Sequence, residues 1–122
     1  MREHGGMITE EDLARYEAVE QAPVHGTYRG HDIYAMSPPS SGGVALVEML
    51  NILEGYDLTE IGHNSALYLH LLTEAMRRAY ADRAQHVGDP AFNPDMPIDR
   101  LTSKAYAEEL RETIDLFKAS ES

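Results

Sequence analysis

A chain of 122 residues, 43% hydrophobic and 25% charged, has the size and balance of one globular domain with a modest core. Its formal net charge of −11 argues against a nucleic-acid or anionic-membrane binder, because such a face must meet phosphates with lysine and arginine. With no cysteine in the sequence, disulfides, thiolate catalysis and cysteine metal sites are excluded.

The acid surplus is lopsided. Residues 1–61 carry three arginines against eleven carboxylates, and residues 62–122 carry seven basic against ten acidic side chains. The longest apolar stretch, Val44 to Leu53, is interrupted by Glu48 and Asn51 and is too short to span a bilayer. No basic-then-apolar segment opens the chain, so an export signal, if the parent has one, is expected upstream of Met1.

The first expected element is a short helix beginning at Thr9, whose hydroxyl can accept from a first-turn amide. Glu10, Glu11 and Asp12 then place negative charge at the positive end of the helix. Leu13 and Tyr16 are its expected buried contacts. From Val19 to Ile33 the chain turns extended: Pro23 biases Ala22 away from helix, and Val24, Thr27 and Tyr28 favour strand. Tyr28 to Tyr34 reads as two strands joined by a tight turn at Arg29-Gly30-His31, with Gly30 able to take positive φ. A lone hairpin is marginal, so it is expected to join a larger sheet.

Ser37-Pro38-Pro39-Ser40-Ser41-Gly42-Gly43 is a connector, and Ser41 or Ser40 can cap the helix that follows to Glu54. That helix is apolar on most sides (Val44, Leu46, Val47, Met49, Leu50, Ile52, Leu53), which predicts burial nearly all round and hints at missing cover. Ser65 is the expected cap of the longest helix, running to about Val87 and stopped by Gly88. Its expected buried face is Leu69, Leu72, Met76 and Ala79, widened by Leu71 and Ala75. Asp89 to Pro97 holds three prolines and is expected to be a loop. A last helix is expected from Thr102 or Ser103 to about Phe117, with Tyr106, Leu110, Ile114 and Phe117 buried. Residues 118–122 are expected to form a disordered tail.

Local chemistry yields no active site. Ser40-Ser41-Gly42-Gly43 could be an oxyanion loop or hold a nucleophile, yet there is no G-x-S-x-G elbow and no phosphate-binding frame. A helix cap is the favoured reading. His70 with Glu74 and Asp82 with His86 are spaced four apart, as helical zinc ligands are, but no third ligand stands at diagnostic spacing. Arg77, Arg78 and Arg83 form the basic cluster; salt bridges along the helix to Glu74 or Asp82 are favoured over an anionic ligand. No catalytic, cofactor-binding or metal-ligating residue is therefore expected in this chain.

Five stretches, taken in order, resemble one family. They are Gly5-Gly6-Met7-Ile8-Thr9-Glu10-Glu11-Asp12-Leu13 with Tyr16; Gly26-Thr27-Tyr28-Arg29-Gly30; Pro38-Pro39-Ser40-Ser41-Gly42-Gly43 leading into Met49 to Glu54; Glu74-Ala75-Met76-Arg77-Arg78-Ala79-Tyr80-Ala81-Asp82-Arg83 closed by Gly88-Asp89-Pro90; and Leu101 to Ala107. Together they are similar to the gamma-glutamyltransferase (glutathione hydrolase) family, with the likeness running from about Gly5 to Ile114. Ser37 departs from a common third proline, and His86-Val87 from a frequent aromatic and leucine.

The resemblance implies an N-terminal-nucleophile hydrolase, made as one precursor that cuts itself into a large and a small subunit. The new amino-terminal threonine of the small subunit is then the nucleophile, with its own amine as base. Glutathione is the implied donor of the gamma-glutamyl group, and water or an amino acid the acceptor. Residues 1–117 are expected to be the C-terminal portion of the large subunit, an α+β, mainly helical fragment with a β-hairpin within an αββα sandwich.

The expected partners are the small subunit and the remainder of the large subunit. The threonine and the glutamyl-binding arginine are expected outside this chain, which alone is expected to be inactive. The PPSSGG loop is expected to border the catalytic cleft, and a periplasmic or secreted parent is implied. Related cephalosporin or glutaryl acylases share the implied fold. A stand-alone acidic helical interaction module is the alternative from another class, and the apolar Val44–Leu53 helix counts against it.

Overall fold

Residues 2–121 are described by the structure, a computed structural model. Met1 and Ser122 lie outside the described residues, and with Ser122 goes the last residue of the expected tail.

Helix α1 (Glu10–Arg15) begins where Thr9 was expected to cap it. Thr9 Oγ1 accepts from the Asp12 amide at 3.1 Å, and the Thr9 amide donates to the Asp12 carboxylate at 2.8 Å, a reciprocal capping box. Its expected apolar contacts are not made: Leu13 is 69% and Tyr16 82% exposed. Every residue from Glu3 to Pro23 is in fact exposed. A six-residue helix with no neighbour has nothing to bury its stripe against.

Strands β1 (Val24–Tyr28) and β2 (His31–Ala35) pair antiparallel, Val24 opposite Ala35 and Tyr28 opposite His31. The turn is the two residues Arg29 and Gly30, with φ of +49° and +82°. That left-handed pair matches the right-handed twist of a tight hairpin. His31, expected in the turn, opens β2 instead. The tip is tied down from outside: the Arg29 amide donates to Glu54 Oε1 at 2.5 Å, and its guanidinium to the Tyr56 carbonyl at 2.9 Å. Lys104 Nζ bridges the Thr27 carbonyl and Glu54.

Helix α2 (Gly42–Glu54) is the axis of the fold, packing against both strands and three later helices. Val44, Ala45, Val47, Ile52 and Leu53 are buried, and so are Glu48 and Asn51. Leu46 faces solvent in part. The cover that its apolar surface calls for comes from within the chain. The expected hint of missing structure therefore lies elsewhere, in the uncovered arm of residues 3–23.

After a single turn, α3 (Leu58–Ile61), capped by Asp57, comes α4 (Ala66–His86). Ser65 caps α4 as expected, accepting from the Tyr68 amide at 3.1 Å. The buried face is Leu71, Glu74, Ala75 and Ala79, not the expected line through Leu69 and Met76, which are 49% and 39% exposed. Leu67, Leu69, Leu71 and Leu72 crowd the first turns from several sides, so periodicity there does not choose a face. The contact with α2 does.

A short helix, α5 (Ile98–Leu101), closes the proline-rich loop and buries Leu101. Helix α6 (Lys104–Glu112) is capped by Ser103, which accepts from the Tyr106 amide at 3.1 Å. It stops five residues before the expected end at Phe117, and Phe117 is exposed rather than buried. Tyr106, Leu110 and Ile114 do pack inward.

The core has two halves, one along the C-terminal part of α2 and one along its N-terminal part. Ile52, Leu53, Leu71, Ala75 and Ala107 form one; Val24, Val44, Val47 and Leu101 form the other. Among the described residues no helix is long and apolar enough to cross a membrane.

Candidate functional site

The connector between β2 and α2 makes a sharp return, and the first turn of the helix runs against the strand it has just left. A Cβ on Gly43 would lie 2.2 Å from the Met36 carbonyl oxygen and 3.1 Å from the Ala35 Cβ. Ser41 takes the N-cap position, but its hydroxyl makes no cap bond; it accepts from Arg83 Nε at 2.6 Å. The cap expected of Ser41 is thus replaced by a tether to α4. Ser40 Oγ accepts the Gly42 amide at 3.4 Å. A guanidinium is a permanent donor and cannot take a proton from serine, so this contact does not activate Ser41 as a nucleophile.

Beneath this loop sits an acid cluster that sequence reasoning missed. Glu48 on α2 is 1% exposed and is hydrogen-bonded to Asp82 on α4. Burial pushes the Glu48 carboxyl up to about 8, with the neighbouring Asp82 charge and the shared hydrogen bond acting in the same direction. Burial and the Asp82 charge thus favour the protonated form of Glu48, whose Oε1 has no protein partner. Asp82 also accepts from the Tyr106 hydroxyl at 2.8 Å. Burial first, then Asp82, lifts that phenol to about 12. In the sequence Glu48 reads only as an interruption of an apolar run. The available signal was that a carboxylate flanked by Val47 and Met49 on a helix buried all round must face protein somewhere.

The metal-type spacings resolve into other contacts. His70 Nε2 meets the Asp115 carbonyl at 2.7 Å. Glu74 is buried against Arg78 and Ser120, with Arg78 Nη1 at 2.7 Å and the Ser120 hydroxyl at 2.5 Å. His86 stands 3.9 Å from Asp82. Among the described residues no group of three His, Asp or Glu side chains could hold a metal ion. Arg77 lies 3.9 Å from Glu74, and Arg78 makes the expected i, i+4 bridge, although the pair is buried rather than on the helix surface. Arg83 is the exception, spent on Ser41. Burial raises the Glu74 carboxyl, but bonds from the Ser120 hydroxyl, Arg78 and the Ser120 amide outweigh it and hold the group at about 2.

Two adjoining depressions open beside the loop. One of about 540 Å³ is bordered by Pro23, His25, Pro38 and Met96; a wider one of about 980 Å³ is bordered by Tyr16, Tyr34, Met36 and Pro39. Among the described residues, the lining serine and threonine hydroxyls meet an amide oxygen, a backbone amide and a backbone carbonyl: Ser37 meets Gln21, Ser40 the Gly42 amide and Thr102 the Ile98 carbonyl.

Residues 1–122 match the family model described as Gamma-glutamyltranspeptidase. The chain is 48% identical over 122 residues to the glutathione hydrolase proenzyme of Escherichia coli (strain K12), covering 100% of this chain and 21% of that protein. It is 47% identical over 119 residues to the acylase ACY 1 proenzyme of Pseudomonas sp. (strain SE83), covering 98% of this chain and 21% of that protein. The crystal structure of Helicobacter pylori gamma-glutamyltranspeptidase superposes with a TM-score of 0.90 at 46% identity, over 95% of this chain and 33% of that one. This chain belongs to the gamma-glutamyltranspeptidase family. It spans about a fifth of the length of the curated relatives it matches, and its α+β architecture with one antiparallel hairpin is a portion of the family's N-terminal-nucleophile hydrolase fold.

Proposed function

We propose that this chain is the C-terminal portion of the large subunit of a self-processing gamma-glutamyltransferase. The observation that carries the reading is collinear 48% identity to a glutathione hydrolase proenzyme along the whole chain. The uncovered arm supports it: Met7, Leu13, Tyr16 and Val19 are all more than two-thirds exposed, an apolar surface that needs protein to cover it. In the complete enzyme the catalytic threonine, outside this chain, attacks the gamma-glutamyl carbonyl of glutathione while its own α-amine takes the hydroxyl proton. Cysteinylglycine leaves, and water or an amino acid then accepts the acyl group. This chain contributes the scaffold against which the small subunit and the rest of the large subunit pack.

Intact mass of the parent, expressed from the longer reading frame, tests this. Two polypeptides are expected, the smaller beginning with threonine, with glutathione turnover by the pair. A single uncut chain without turnover removes the enzyme reading. The 47% identity to an acylase proenzyme favours one second reading, a cephalosporin-type acylase. Cleavage of an acylated cephalosporin with no release from glutathione would select it.

The loop of residues 37–43 is proposed to border the catalytic cleft. Ser41→Ala frees Arg83 and loosens the loop, and turnover is expected to fall about tenfold, as small misplacements near a reacting centre do. Stability should change by less than about 1 kcal/mol, because the contact is solvent-accessible. Unchanged turnover would remove the loop from the cleft.

A further inference from the structure

The Glu74–Arg78 pair is more than a bridge along one helix. Glu74 is 1% exposed and Arg78 11%, by side chain, and together they grip a single later segment at both ends. Arg78 Nε donates to Thr113 Oγ1 and Nη2 to the Thr113 carbonyl, both at 2.8 Å. Glu74 Oε1 accepts from the Ser120 amide at 3.1 Å, and Oε2 from the Ser120 hydroxyl at 2.5 Å. Between these points His70 holds the Asp115 carbonyl, and Asp115 Oδ1 accepts from the Phe117 and Lys118 amides. The segment after α6 is thus fastened to α4 at three places while Phe117 stays 94% exposed. Ile114 packs on the core at its start, but beyond it apolar burial does not account for its course. The charged pair does.

We propose that Glu74 and Arg78 are positioning residues for self-cleavage, fixing residues 113–120 so that the chain beyond them is delivered to the cleavage site in a defined direction. The inference rests on the self-processing reading above. An intramolecular acyl shift depends on how narrowly the reacting segment is held. An anchor at Ser120 shortens the free tether by the seven residues back to Thr113, and each added residue dilutes the productive geometry.

The test uses the full-length parent, with Ser120→Ala as the principal variant because it deletes one hydroxyl and leaves the buried pair intact. Three readouts are needed: the time course of cleavage by intact mass, amide hydrogen exchange over residues 113–121, and glutathione turnover of the fraction already cleaved. Ser120→Ala and Glu74→Gln are expected to speed exchange in the segment and to slow cleavage at least about threefold. Turnover of the cleaved fraction should stay at the wild-type level. Ser120→Thr, which keeps the hydroxyl, should restore both exchange and cleavage, a rescue that general loss of stability would not show. Faster exchange with wild-type cleavage, or unchanged exchange in Ser120→Ala, overturns the proposal. A wild-type parent that never cleaves removes the underlying reading and this inference with it, and it is recognised before any variant is made.

Discussion

Gly43→Ala is expected to destabilise the protein by about 3 kcal/mol or more, whereas Gly42→Ala, one residue earlier, should be close to neutral. The two glycines look alike in the sequence but meet different surroundings. An added Cβ at Gly43 lands 2.2 Å from the Met36 carbonyl oxygen, a backbone atom that cannot swing aside. At Gly42 the nearest atom is Ser40 Oγ at 3.6 Å, ordinary contact distance. To relieve the clash α2 must move off the end of β2, and Val44 and Val47 move with it out of the core half they share with Val24 and Leu101. Thermal unfolding of the two variants in the full-length parent checks this. Equal midpoints would mean that the helix does not start as closely against the strand as described.

The second large effect concerns pH. Folded, Glu48 keeps its proton up to about pH 8, while the ordinary value for the group is 4.5. Between those values the folded state binds more protons than the unfolded one, so stability falls as pH rises through the window and levels off above it. Glu48→Gln keeps the shape and the hydrogen bond to Asp82 without a proton to lose. Stability at pH 8 is expected to rise on the order of 2 kcal/mol, with no gain at pH 4.5. The full linkage is not recovered, because the second amide N–H needs its own acceptor.

The comparison is the difference between variant and wild type at each pH, which cancels the contribution of every group the two share. Glu74 works in the opposite sense and in a different window. Held at about 2, it contributes stability above its ordinary 4.5 that is lost as pH falls toward 2. Denaturant unfolding of wild type and Glu48→Gln from pH 4.5 to pH 9 gives the result directly. Parallel profiles would mean that Glu48 is not the proton-binding group.

The sequence by itself determined the punctuation of this protein and its family. Thr9, Ser65 and Ser103 cap helices where their spacing to the following amides allows it, because a cap is a contact within four residues. Gly30 marks the hairpin, since a positive φ is a local requirement. The order of the GMITEEDL, PPSSGG and AYADR stretches was enough to recognise the gamma-glutamyltranspeptidase family, as the match over residues 1–122 bears out.

Only the tertiary structure decided which faces are buried. On α4, leucines at 67, 69, 71 and 72 leave the stripe ambiguous, and packing on α2 selected Leu71, Ala75 and Ala79 over Leu69 and Met76. At α6 the expected end at Phe117 failed because Arg78, thirty-five residues earlier, takes the Thr113 carbonyl and hydroxyl, an interaction no local pattern announces. Glu48 meets Asp82, and Ser41 gives up its cap for Arg83, for the same reason. Capping and turn energies are settled between near neighbours in the chain, whereas burial and the pairing of charges depend on segments brought together only by folding.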